Sequence, residues 1–100
     1  MPTGYTIDWL GWNNEGTSDK VWGYLRMKDG RYFAFWARRG KTFKFKEHKM
    51  FESVLKVRFD KEHKRGYTWV NPSDYDRLVS DFITKLEVDC MSAILSEKVM

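Results

Sequence analysis

One hundred residues, 42% of them hydrophobic and 17% aromatic, suffice for one compact core and exclude both a two-core chain and a disordered one. The net charge of +4 is unevenly spread: Lys20 to Arg65 holds 15 Lys/Arg against 5 Asp/Glu, or +10, and the remainder carries −6. A dipole of this kind orients a molecule toward a polyanion, while the longest apolar runs fall far short of the ~20 residues that cross a bilayer.

The first expected element is YTIDWLGW (5–12), an extended, aromatic-rich strand, followed by the polar loop NNEGTSD (13–19). VWGYLRM (21–27) and RYFAFWA (31–37) read as a hairpin turned by Lys28-Asp29-Gly30. Arg38-Arg39-Gly40 makes a second tight turn into KTFKFK (41–46). Strict alternation there puts Phe43 and Phe45 on one face and Lys44 and Lys46 on the other. A meander of three strands is the economical arrangement. From Lys49 to Lys64 the spacing becomes helical, with Phe51, Val54, Leu55 and Phe59 as the apolar stripe and Met50 and Val57 widening it. Arg58 interrupts that stripe: either its stem packs while its guanidinium reaches the edge, or it meets a buried ionic partner. Gly66 suits the position after the helix, and YTWV (67–70) is a short β-like return. Ser73 is the expected N-cap of a second amphipathic helix through Tyr75, Leu78, Val79, Phe82, Ile83 and Leu86, running on towards Ile94 and Leu95. The fold class is therefore α+β: a small antiparallel meander packed against one central helix, with a C-terminal helix, as a single domain over 1–100.

The order of features carries more than any one of them. Trp36-Ala37-Arg38-Arg39-Gly40, a basic strand, an amphipathic helix, and FDKEHKRGY (59–67) follow one another. This order resembles the WGR domain of DNA-dependent poly(ADP-ribose) polymerases and of small bacterial proteins. The resemblance covers about Asp19 to Asn71, leaving 1–18 and 72–100 without a counterpart. Ala37 stands where the motif has glycine and Arg39 where it has an apolar residue, while Val21-Trp22-Gly23-Tyr24 contains Trp-Gly without the arginine. The resemblance implies binding to DNA at ends and breaks, with Trp36 packing on a terminal sugar. It implies that Arg38 supports the turn and reaches phosphate or a partner surface. ADP-ribosylation is not among its implications, since these 100 residues contain no polymerase catalytic region.

Each of these residues also has a structural reading. Trp36 is a core ring if the N-terminal WLGW segment covers its face, and a nucleotide platform if the neighbouring cations leave it wet. Lys44 and Lys46 are either the solvated side of a half-buried strand or phosphate ligands. Lys64 and Arg65 suit a helix end as well as a phosphate. His48, His63 and the lone Cys90 lack the ligand spacing of a metal site, and no nucleophile–base pair is evident, so neither metal, cofactor nor catalysis is expected. One cysteine, and an N-terminus without a basic cluster or apolar stretch, imply a cytoplasmic protein, nucleoid-associated in a bacterium or phage.

The resulting expectation is a non-catalytic DNA-binding module of low sequence specificity, gripping duplex backbone or ends through Trp36, Arg38, Arg39, Lys41, Lys44, Lys46, Lys64 and Arg65. The alternative is a small adaptor or inhibitor, for example phage-encoded, that binds an acidic surface of a nucleic-acid-processing enzyme. A homodimer through the C-terminal helix fits either reading.

Overall fold

The computed structural model describes residues 4–93. Five strands, β1 (Tyr5–Asn13), β2 (Lys20–Met27), β3 (Tyr32–Arg38), β4 (Lys44–His48) and β5 (Thr68–Trp69), form one antiparallel sheet in the order β4-β3-β2-β1-β5. The expected three-strand meander is thus one side of a larger sheet, with β4 as its outer edge. The N-terminal segment is a full member of it, and the 67–70 return closes its far edge against Gly11 and Trp12.

Strand alternation gives the sheet two unlike faces. Val21, Leu25, Phe33, Phe35 and Ala37 point to one, where they bury against Phe82, Leu86 and Cys90 of α3 (Ser80–Ala93). Trp22, Tyr24, Ala34 and Trp36 point to the other, beneath α1 (Phe51–Lys64). In β1 the pairing slips between Ile7 and Trp9. That bulge lets Ile7 and Leu10 serve the first face while Trp9 serves the second.

Two helix expectations change. The inward face of α1 is built on Val54, Leu55, Val57 and Arg58, with Phe51 leaning on Tyr24 and Tyr32 and Val54 fully buried, whereas Phe59 and Met50 are about 60% exposed. Trp9, Trp22 and Tyr24 already fill the space under the helix, so short side chains fit there, and the Arg58 guanidinium lies 5.3 Å from the Trp9 ring. The second helix starts from Asn71 rather than Ser73. The Asn71 Oδ1 accepts from the Ser73 backbone N–H at 3.1 Å. A 3-10 turn (Pro72–Asp74) and a single turn of α2 (Tyr75–Leu78) then precede a break at Val79. The expected continuation towards Ile94 and Leu95 lies outside the described residues. Among the described residues no helix is long and apolar enough to cross a membrane.

The β3–β4 turn is fastened to α3 from behind. Arg39 binds Asp19 and Asp81 together, and its guanidinium stacks 4.6 Å from the Phe82 ring. The Phe43 N–H donates to the buried Asp89 carboxylate at 2.8 Å. Arg39 holds both Asp19 and Asp81 below the usual carboxylate range, chiefly by hydrogen bonding. Depressed carboxylates stabilise the fold above their unfolded pKa, 3.8, and lose that contribution as pH falls through the lower folded values. All three groups are partly solvated, so the clasp contributes about 1 kcal/mol or less. Arg39→Ala should therefore lower the urea midpoint slightly at pH 7, and the gap to wild type should close below pH 3.8. A gap that widened on acidification would contradict this assignment.

Candidate nucleic-acid interface

The exposed part of the α1 face follows from where the helix leaves the sheet. α1 starts just after β4, its Phe51 ring 5.1 Å from Tyr32. It then runs across to Trp9 through Arg58, and to Tyr67, whose ring centre lies 5.6 Å from Lys61 Nζ. Because it crosses away from β4, a wedge stays open over the ends of β3 and β4. Trp36 sits in that wedge, half-buried, paired across the sheet with Trp22 on one side and Lys44 on the other. Arg38 lies opposite Lys20, and Lys46 opposite Ala34. All share one face by the two-residue period of the strands.

Three cavities meet at Trp36. The inner one, about 240 Å³, is lined by Trp22, Ala34, Val57 and Tyr67, with Lys46, His48 and Lys61 at its margin. The outer one, about 460 Å³, is bordered by Arg38, Lys41, Thr42 and Lys44. The third joins Lys20 and Arg38 to Lys61 and Tyr67. Six Lys and Arg side chains and no Asp or Glu line this surface. Among the described residues, none of the six makes an ion pair.

This crowding of like charge has electrostatic consequences. Burial, then the charges of Arg65 and Lys20, pull the Lys61 ammonium below its usual pKa against the opposing pull of Asp60. Burial and Lys46 likewise hold the His48 imidazole below 6.5. Burial raises the Tyr67 phenol while Arg38 opposes it. A bound anion would relieve the repulsion between these cations.

Trp36, Arg38, Lys41, Lys44 and Lys46 are therefore brought together as the sequence suggested. Three other candidates are not. Arg39 points to the opposite face, neutralised by Asp19 and Asp81. Arg65 pairs with Asp60, and its carbonyl accepts from Asn13 Nδ2 at 2.9 Å. Neither it nor the exposed Lys64 lines the Trp36 cavities. Trp36, Ala37 and Arg38 belong to β3, and the turn itself is Arg38 to Lys41, with the positive φ of 80° falling on Gly40. Ala37 thus needs no glycine: it is an extended strand residue packed in the first core. Sequence reasoning missed Lys20, Lys61 and Tyr67. Lys20 would have emerged from carrying the hairpin pairing two residues beyond Trp22, and Lys61 from its four-residue spacing after Val57.

Cys90 is buried in α3, which pushes its thiol up to about 11. Among the described residues no group of three or more His, Cys, Asp or Glu stands close enough to hold a metal. Comparison with protein-family models, curated proteins and solved structures returns no match.

Proposed function

We propose that this protein is a non-catalytic, WGR-like DNA-binding module that grips the sugar-phosphate backbone of duplex DNA, preferentially at ends, with little regard to sequence. One observation carries the reading: among the described residues, a half-buried indole lies within six cations that make no ion pair, on a surface that no carboxylate lines. Phosphate supplies the missing counter-charge, and an aromatic ring adds a face for sugar or base. The resemblance also gains a spatial sense, because Trp36 and the Tyr67 of Gly66-Tyr67 border the same cavity. The polar side chains of the surface are chiefly lysines and one arginine, and contacts from these to phosphate carry no sequence information, which suits low sequence specificity.

The test is a titration of a short labelled duplex at several salt concentrations. Each cation lost among Arg38, Lys44 and Lys46 should flatten the plot of log K against log salt by about 1. Affinity independent of salt, or an unchanged slope in Arg38→Ala/Lys44→Ala/Lys46→Ala, would oppose the proposal. One feature favours the adaptor reading instead: the outer face of α1 leaves Phe59 60% exposed beside His63, their ring centres 4.3 Å apart. A stoichiometric protein partner recovered from nuclease-treated extract, together with no duplex binding, would establish that alternative.

A further inference from the structure

We infer that the inner cavity beside Trp36 receives a single unpaired nucleobase at a DNA end, a ligand class that rests on the DNA-binding reading and sharpens it. Cations alone would hold a backbone on any convex surface. Here they border a recess whose deep wall is aromatic and aliphatic: Trp22 and Ala34 are each 2% exposed, and Tyr67 is 7% exposed. At about 240 Å³ the recess is smaller than the roughly 300–1,000 Å³ of pockets that enclose a drug-sized ligand. It suits one flat ring rather than a base pair. Its two banks carry Lys46 on β4 and Lys61 on α1, so phosphates entering and leaving the bound nucleotide meet a cation on either side.

The chemistry of the lining also sets the selectivity. Stacking surfaces accept any base, because every base has a π-face. The polar groups of the lining are mainly Lys46, His48 and Lys61 at its margin, placed to meet phosphate and without a carboxamide or carboxylate beside them. A paired terminal base is already stacked and hydrogen-bonded in the duplex, whereas an overhanging one is free to enter. The cavity therefore selects ends that carry an unpaired nucleotide, whatever its identity.

The test compares three labelled duplexes of equal length by fluorescence anisotropy at one salt concentration: blunt, with a one-nucleotide overhang, and with an abasic tetrahydrofuran-phosphate overhang of equal charge. Wild-type protein should bind the base-bearing overhang about 5- to 150-fold more tightly than the abasic one. The order of affinity should be the same for all four bases. Val57→Trp, which fills the recess from the helix side, should bring the two overhangs to equal affinity. Equal binding of base-bearing and abasic overhangs by the wild type, with salt-dependent duplex binding intact, would overturn the base pocket alone. Failure to bind any of the three would overturn the DNA reading with it. The wild-type comparison decides the matter even where the variant folds poorly.

Discussion

Trp36→Ala should weaken binding to a duplex end by about 5- to 150-fold, the range of one lost aromatic–nucleotide stack, while leaving the salt slope close to that of wild type. The reasoning separates the two parts of the surface. The slope counts phosphates neutralised by Arg38, Lys44, Lys46 and their neighbours, all of which remain in the variant. The affinity at fixed salt also contains the ring's contribution, which is removed. Trp36→Phe should retain part of it. Trp36 is only half-buried at the rim of its cluster, so the variant should lose less stability than a core truncation would cost. Anisotropy titrations at three salt concentrations, with a urea denaturation curve for each protein, measure both quantities. A slope that fell with the affinity would mean that Trp36 acts by holding the cations in place.

The neighbouring residue should behave in the opposite way. Phe35 is fully buried, faces α3, and packs at 5.8 Å from the Phe43 ring. Its ring lies against Gly23, directly across the hairpin, where a Cβ would come within 2.6 Å of Phe35 Cζ. Phe35→Ala opens a cavity at the centre of the larger core and should cost about 3–5 kcal/mol, a large share of the roughly 5–15 kcal/mol that holds a domain together. The expected result is a large fall in the urea midpoint. The DNA affinity of the remaining folded protein should change little, since Phe35 lies on the far side of the sheet from the cations. Two adjacent positions would thus divide stability from binding, as the two-residue period of a strand requires.

That period is the reason much of the site was legible in the sequence. FAFWAR and KTFKFK alternate cleanly, so the grouping of Trp36 with Arg38, and of Lys44 with Lys46, follows from parity alone. Tertiary partners decided the rest. Arg39 looked like one cation among several in a basic turn, and only the approach of Asp19 and Asp81 from β1–β2 and α3 removes it from the set. The α1 stripe departs from expectation at Phe59 because helical spacing marks an apolar face without saying how much room lies beneath it. Trp9 and Trp22, 6.0 Å apart and already filling that space, leave room for Val54 and Val57 but not for Phe59. Trp9 reaches that face through the slip in β1 between Ile7 and Trp9, and no local residue pattern announces such a bulge. The 3-10 turn that opens the C-terminal helical region is capped by Asn71 rather than Ser73. Asn71, preceding Pro72, caps the Ser73 N–H, a competition between two good capping residues that spacing could not resolve.

The central claim is that Trp36 and the cations around it form the contact surface for DNA. Titration of isotope-labelled protein with a short blunt duplex, followed through indole and backbone N–H resonances by NMR, tests it most directly. The largest shifts should fall on the Trp36 indole and on the amides of Lys20, Arg38, Lys41, Lys44, Lys46 and Lys61, with Phe82, Leu86 and Cys90 nearly still. Shifts concentrated on α3 or on the outer face of α1 around Phe59, with the Trp36 indole unmoved, would contradict it.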